Sequence, residues 1–219
     1  MTFQILFENQ ELIAIDKPAG LNFHSEDNVP GVAAQLQQAI PSDIYPVHRL
    51  DKMTSGVLLF AKSQNATQLL GKQFSERLVE KRYLALSTKK PKKKQGKIVG
   101  DMIKARNGSW KLSQTNDNPA TTHFVSRSLI PGIRFFWITP TTGKTHQIRV
   151  ALKSLGSPIL GDSRYSGDDA DRGYLHAYQL KFQWQNETIN IISPPNSGNY
   201  FLQPECTKLI ADFCDIDNW

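Results

Sequence analysis

"VHRLDKMTSGVLLFAKS", residues 47–63, sets a histidine, an arginine and an aspartate ahead of a polar turn and an apolar run. "GVLLFA" is continuous, of strand length and bounded by turn residues, which predicts a buried central strand. Ser63 then caps a helix expected over about 64 to 79, where Ala66, Leu69, Leu70, Phe74 and Leu78 recur at helical spacing. The charged loop feeding this strand makes Asp51 the residue to explain. A carboxylate beside a buried strand costs free energy unless it is paired. Asp51 is therefore either one half of a structural ion pair or a charge kept for chemistry.

Upstream, "FQILF" and "ELIAID" read as strands around a polar Glu8-Asn9-Gln10 turn, and "KPAG" imposes a further turn with Lys17 on its rim. "VAAQLQQAI", after Pro30-Gly31, reads as a short helix. Downstream, "KRYLALS" reads as a strand, and further strands are expected at 120–126, 133–139, 180–184 and 188–192. The run 89–97 holds six lysines, and Pro91 and Gly96 are expected to break any regular element there. Many strands with interspersed helices, in no strict βαβ alternation, predict an α+β fold: a mixed, largely antiparallel sheet flanked by helices. One domain over 1–219 is expected, with room for two lobes around a cleft.

Composition is that of a folded protein, with 39% hydrophobic and 21% charged residues. The net charge of +6 is unevenly placed. Residues 204–219 set Glu205, Asp212, Asp215 and Asp217 against Lys208 alone, so with that −3 removed the remaining residues carry +9. A positive body suits a polyanionic partner. Cys206 and Cys214 would lie roughly 12 Å apart along a helix, too far for a disulfide. So few cysteines suit a reducing compartment. With no signal-like N-terminal stretch and no run of about 18 apolar residues, a cytoplasmic protein is expected.

"GKTHQIRVALKSLG", residues 143–156, is the second informative segment. Thr145 reads as an N-cap and Gly156 as a C-terminal stop, with Pro158 beyond. Ile148, Ala151, Leu152 and Leu155 share one helical face; His146, Arg149 and Lys153 share the other, preceded by Lys144. Such a face is commonly just solvated, yet without an acid it could also meet Asp51 or phosphates. His48, Asp51, His146 and His176 are metal-ligand types, but no HxxxH or CxxC spacing supports a metal site. There is no GxSxG elbow, phosphate loop or dinucleotide fingerprint.

"HRLDKMTSG" (48–56) resembles the signature of the RluA-type pseudouridine synthases, HRLD followed by two variable residues and TSG. "FENQELIAIDKPAGL" (7–21) resembles that family's opening strands and KPxGL turn, and "EKRYLAL" (80–86) its KxY motif. "TGKTHQIRV" (142–150), "GSPILGDSRY" (156–165) and "YLHA" (174–177) resemble three further motifs in the family's order. Departures are Lys144 where arginine is common, Ser157 where histidine is common, and the lysine-rich run. The family's frequent N-terminal RNA-binding module is expected to be absent, because the similarity begins within the first ten residues.

The resemblance implies a pseudouridine-synthase-like fold with an active-site cleft, and an isomerase that acts on RNA without cofactor or metal. It implies Asp51 as the catalytic carboxylate, Arg149 as its ion-pair partner, and Tyr83 as the ring that stacks on uracil and assists the final proton transfer. Arg49 would fill the gap left by the extruded uridine, and Leu175 would wall the pocket. His48, Lys144 and His146 would contact substrate. Lys92, Lys93 and Lys94 are either a solvated loop or an RNA-backbone contact. The expected partner is a stem-loop of tRNA, with an anticodon-region hairpin first, or of 23S-type ribosomal RNA, bound by a monomer. A non-catalytic RNA-binding protein or chaperone that keeps the fold is the rival reading.

Overall fold

The computed structural model describes residues 3–216. Along the chain run β1 (Gln4–Glu8), β2 (Leu12–Lys17), α1 (Val32–Ala39), β3 (Tyr45–Pro46), β4 (Ser55–Ala61), α2 (Gln64–Ser75) and β5 (Glu80–Ser87). Then come β6 (Gln95–Gly100), β7 (Met102–Lys104), β8 (Trp110–Leu112), β9 (Ala120–Ile130), β10 (Ile133–Pro140) and α3 (Gln147–Ser154). β11 (Leu175–Trp184), β12 (Glu187–Ile192) and α4 (Pro204–Ile216) complete the order. The chain divides into two compact units, one formed by the chain up to Lys81 with His176–Pro194, the other by Arg82–Leu175 with the chain from Pro195 onward. Among the described residues no helix is long and apolar enough to cross a membrane.

In the first unit β2 pairs antiparallel with β1 and β4, β3 adds to β4, and β11 pairs antiparallel with β12 and parallel with β4. Every residue of β2 and β4 is buried, which suits the apolar runs Leu12–Ile15 and Val57–Ala61, while Asp16 and Lys17 are charged residues buried at the end of β2. One face packs Leu12, Ala14, Val57, Leu59 and Ala61 against Ala66 and Leu70 of α2 and against Leu180, Phe182 and Ile191. On the other face Phe23 stacks on Phe60.

Helix α2 starts as expected, with the Ser63 Oγ accepting the Ala66 N–H at 3.1 Å. It stops four residues short of the expected 79. Arg77 takes φ 63, and the Leu78 N–H turns back to the Gln73 carbonyl at 2.9 Å. This is a left-handed stop without the glycine that usually signals one. Leu69 and Leu78, counted into the apolar stripe, are 50% and 60% exposed.

The second unit is an antiparallel sheet, β5-β10-β9-β6, with the β7–β8 hairpin beside it. Phe213 of α4 stacks on Phe135 and Trp137 of β10. The lysine run is more ordered than expected. Pro91 is buried, the Lys92 N–H bonds the Leu155 carbonyl, and the Lys94 carbonyl accepts from Ser126 N–H and Oγ. Gly96 does not end regular structure but lies inside β6. The expected α+β architecture with largely antiparallel pairing describes both units.

Candidate active site

Asp51 sits in the first unit, half-buried between exposed Arg49 and Lys52, in the loop that leads to β4. Lys17, at the end of β2, holds this loop. The sequence suggests a turn-rim lysine, but the side chain is fully buried, an uncommon state for lysine that requires satisfied donors. Its Nζ donates to the carbonyls of Pro18 at 2.9 Å, Lys52 at 3.3 Å and Thr54 at 2.7 Å. Two of these carbonyls, those of Lys52 and Thr54, lie just after Asp51 in its loop. The Thr54 N–H bonds the Asp51 carbonyl at 3.0 Å, and the Gly20 N–H bonds that of Lys52 at 2.8 Å. The backbone around Asp51 is thus fixed by an ammonium, a turn bond and a bond between two loops.

The residues after Asp51 each perform one packing task. The Ser55 Oγ lies 2.7 Å from Nδ1 of buried His176, whose Nε2 lies 2.6 Å from the Ser193 carbonyl. A carbonyl only accepts, so Nε2 carries the proton and Ser55 donates to Nδ1. Gly56 faces β11, where a Cβ would stand 2.2 Å from the Ala177 carbonyl oxygen, and its φ is 106. Only glycine fits there. His48 accepts the Leu59 N–H on Nε2 at 3.0 Å, between the stretches of β4 that β11 and β3 cover, and its ring stacks on Phe74. Burial, helped by the charge of Lys81, pushes its pKa down to about 3. The imidazole is neutral at physiological pH and braces the loop. Among the described residues no group of His, Cys, Asp or Glu is placed to hold a metal ion.

The second unit holds Tyr83, Lys92, Lys93, Lys94, Lys144, His146, Arg149 and Leu175. Tyr83 lies on β5 opposite Ile138, and Leu175 opens β11 in a buried position. Arg149 is buried, not on a solvated face, and Asp162 grips it with Nε to Oδ2 at 2.7 Å and Nη2 to Oδ1 at 2.8 Å. Two parallel charge-assisted bonds fix the guanidinium plane. Its Cζ lies 4.9 Å from the Tyr165 ring centroid. The Tyr165 hydroxyl accepts the Trp110 N–H and lies 2.8 Å from His146 Nδ1, within hydrogen-bond distance.

Helix α3 begins one residue later than expected, with His146 rather than Thr145 at the N-cap and in the left-handed region, φ 57. Gln147 makes this entry possible. Its Oε1 accepts from the Thr142 hydroxyl and the Lys144 N–H, and its Nε2 donates to Thr121 and Thr122. Gln147 and Asp162 are not among the site residues expected from sequence. Both lie inside the family-like motifs, and an acid in a motif whose arginine is to be buried is the signal that could have found Asp162. Lys144 reaches Asn118 Oδ1 at 2.9 Å.

The side chains of Lys92, Lys93 and Lys94 are exposed on their anchored backbone. If they bind RNA phosphates, replacing all three by glutamine will flatten the log–log salt dependence of binding by about 0.7 to 0.9 for each phosphate interaction removed. KM should rise with kcat little changed. An unaltered salt slope would leave them as a solvated turn.

Residues 11–154 match the RNA pseudouridylate synthase family. The chain belongs to that family. It is 47% identical over 210 residues to a Haemophilus influenzae protein named as an uncharacterized RNA pseudouridine synthase, covering 93% of this chain and 92% of that protein. It is 37% identical to ribosomal large subunit pseudouridine synthase C of Rickettsia bellii, covering 76% of this chain but only 58% of the longer relative. Human RNA pseudouridylate synthase domain containing 1 shares the fold, with a TM-score of 0.76 over 97% of this chain and 95% of the human one at 23% identity. The enzyme is an RNA pseudouridine synthase, an isomerase, as its motifs imply.

Proposed function

We propose that this synthase converts a uridine in a stem-loop of large-subunit ribosomal RNA to pseudouridine, in the cytoplasm, with Asp51 as its catalytic carboxylate. The observation that carries the proposal is the clamped loop. In a chain of this family, the Lys17 ammonium fixes the carbonyls of Lys52 and Thr54 beside a half-buried aspartate. The names of relatives such as the Rickettsia synthase favour ribosomal RNA over the tRNA hairpin that the sequence alone puts first.

The reaction breaks the bond from C1′ of the sugar to N1 of uracil and makes one from C1′ to C5. The C5 proton leaves to solvent and N1 gains one. Attack on the sugar, attack on the base and removal of a sugar proton all require an ionised carboxylate at the nucleotide. The family resemblance makes Arg149 the proposed cationic partner of the reacting carboxylate, and Asp162 holds that guanidinium in one plane. Tyr83 stacks on the base and helps remove the C5 proton. Arg49, exposed beside Asp51, takes the place of the extruded nucleotide.

Tyr83→Phe keeps the ring, and with it stacking of roughly 1–3 kcal/mol per base. RNA affinity should therefore stay near wild type while the single-turnover rate falls by about 100-fold or more. An unchanged rate would reduce Tyr83 to a platform.

The test of the function is tritium release from RNA labelled at uracil C5, which a non-catalytic RNA binder does not produce. Helix α3 has 8 residues and spans only about 12 Å, so direct recognition covers few nucleotides. An isolated ribosomal hairpin carrying the target should be modified with kcat/KM near that of the intact RNA. Anticodon-region hairpins serve as the comparison. Modification of tRNA hairpins alone would overturn the substrate assignment, and modification of assembled subunits alone would overturn local recognition.

A further inference from the structure

The first unit buries a histidine that the chemistry at Asp51 leaves unused. His176 is 1% exposed, too deep to touch a nucleotide, and both of its ring nitrogens are engaged. Nε2 donates to the Ser193 carbonyl at 2.6 Å, and Nδ1 lies 2.7 Å from the Ser55 Oγ. A ring held at both nitrogens offers no lone pair to a metal ion. An apolar side chain could fill the same place without the cost of burying a polar ring. The two bonds must therefore serve something else.

Their place in the sheet shows what. β4 lies between β2 and β11. Its parallel pairing with β11 sets Ser55 opposite His176 and Gly56 opposite Ala177, and ahead of Ser55 the chain leaves the sheet as the Asp51 loop. From the β2 side, the Lys17 ammonium holds the Thr54 carbonyl. From the β11 side, the imidazole holds the side chain of the next residue, Ser55. Two consecutive residues are thus tethered from opposite flanking strands, where the loop meets β4. The anchor of the second tether is itself fixed. The Ser193 N–H bonds the Tyr178 carbonyl at 2.8 Å, one step beyond the Gln179–Ile192 pair of the β11–β12 ladder. Ser55 is 2% exposed, so water cannot take over a lost bond. The Thr54 N–H returns to the Asp51 carbonyl, and this turn carries any shift of Ser55 to Asp51.

We propose that His176 is a positioning residue, which through Nδ1 holds Ser55 and thereby sets the place of the Asp51 carboxylate. The proposal rests on Asp51 being the catalytic carboxylate. A displacement of about 1 Å at a reacting group can cost roughly 100-fold in rate. The bond from Nε2 to Ser193 seats the ring and serves stability alone. The two nitrogens therefore have separate tasks, and each can be replaced by itself. Asparagine sets an acceptor near the place of Nδ1 and lacks the reach to Ser193. Glutamine sets a donor near the place of Nε2 and has no polar atom where Nδ1 stood.

The test uses the full chain, a large-subunit ribosomal RNA transcript labelled with tritium at uracil C5, and hydrogen exchange at the Thr54 amide, which reads the loop without substrate. In Ser55→Ala and His176→Gln the single-turnover rate should fall by about 10- to 100-fold. RNA affinity should stay unchanged, and the Thr54 amide should exchange faster. His176→Asn should melt earlier than wild type yet keep its rate and its Thr54 protection. If rate and exchange merely follow Tm, with His176→Asn as impaired as His176→Gln, the residue serves only the fold and the proposal is overturned. A wild-type rate in Ser55→Ala beside an inactive Asp51→Asn overturns it as well. An active Asp51→Asn would defeat the Asp51 mechanism by itself, and the exchange pattern would still decide the tether. Faster exchange in Ser55→Ala and His176→Gln but not in His176→Asn upholds it, and equal exchange in all three overturns it.

Discussion

Asp51→Asn should abolish pseudouridine formation, lowering the single-turnover rate at least ~1,000-fold, while fold and RNA affinity persist. The substitution replaces one oxygen by an amide nitrogen of nearly the same size and removes both nucleophile and base. The loop does not need the carboxylate to keep its course. It is held by Lys17 on the carbonyls of Lys52 and Thr54 and by the Thr54 N–H on the backbone carbonyl of residue 51. Loss of activity with an unchanged melting curve and unchanged affinity is therefore the expected combination. Turnover near wild type, counted as pseudouridine per enzyme, would remove Asp51 from the chemistry. Loss of affinity in parallel with rate would make it a binding residue instead.

The contrast between Asp51 and Lys17 shows what a sequence exposes and what it hides. Asp51 is legible because the residues that hold the loop are contiguous with it: Ser55 for His176, Gly56 for the close approach to Ala177, an apolar run for the strand. Lys17 is not legible. Its partners are backbone carbonyls 35 and 37 residues away, which carry no side-chain signature. In the second unit β9 is legible from its alternation and β10 from its apolar run, whereas β6, β7 and β8 carry no such pattern and are not legible. The ends of helices are not, for one reason in two places. Arg77 and His146 take positive φ without being glycine, so neither the stop of α2 nor the start of α3 announces itself. Arg149 reads on its helix as one of several basic residues. Only the fold brings Asp162 to it and makes it a buried ion.

That burial leads to the second large effect, at Asp162. Asp162→Ala should destabilise the protein by about 3–5 kcal/mol, because it removes the two charge-assisted bonds that hold a buried guanidinium. Arg149 and Asp162 have side chains only 8% and 2% exposed, so water cannot readily replace the missing bonds. For a chain of this length, each kcal/mol corresponds to roughly 2–4 °C in Tm. The Tyr165 ring beside the guanidinium offsets only a small part of the loss. The double substitution Arg149→Met with Asp162→Leu removes both charges and fills similar volume. Replacing a buried pair by apolar groups is often neutral, so much of the stability should return. Activity should not return, because the cation proposed for Asp51 is gone. Urea unfolding of the three proteins beside single-turnover rates separates the two roles. A single mutant within about 1 kcal/mol of wild type would mean the pair is solvated and weak. A double mutant that regained activity along with stability would show that Arg149 serves only the fold.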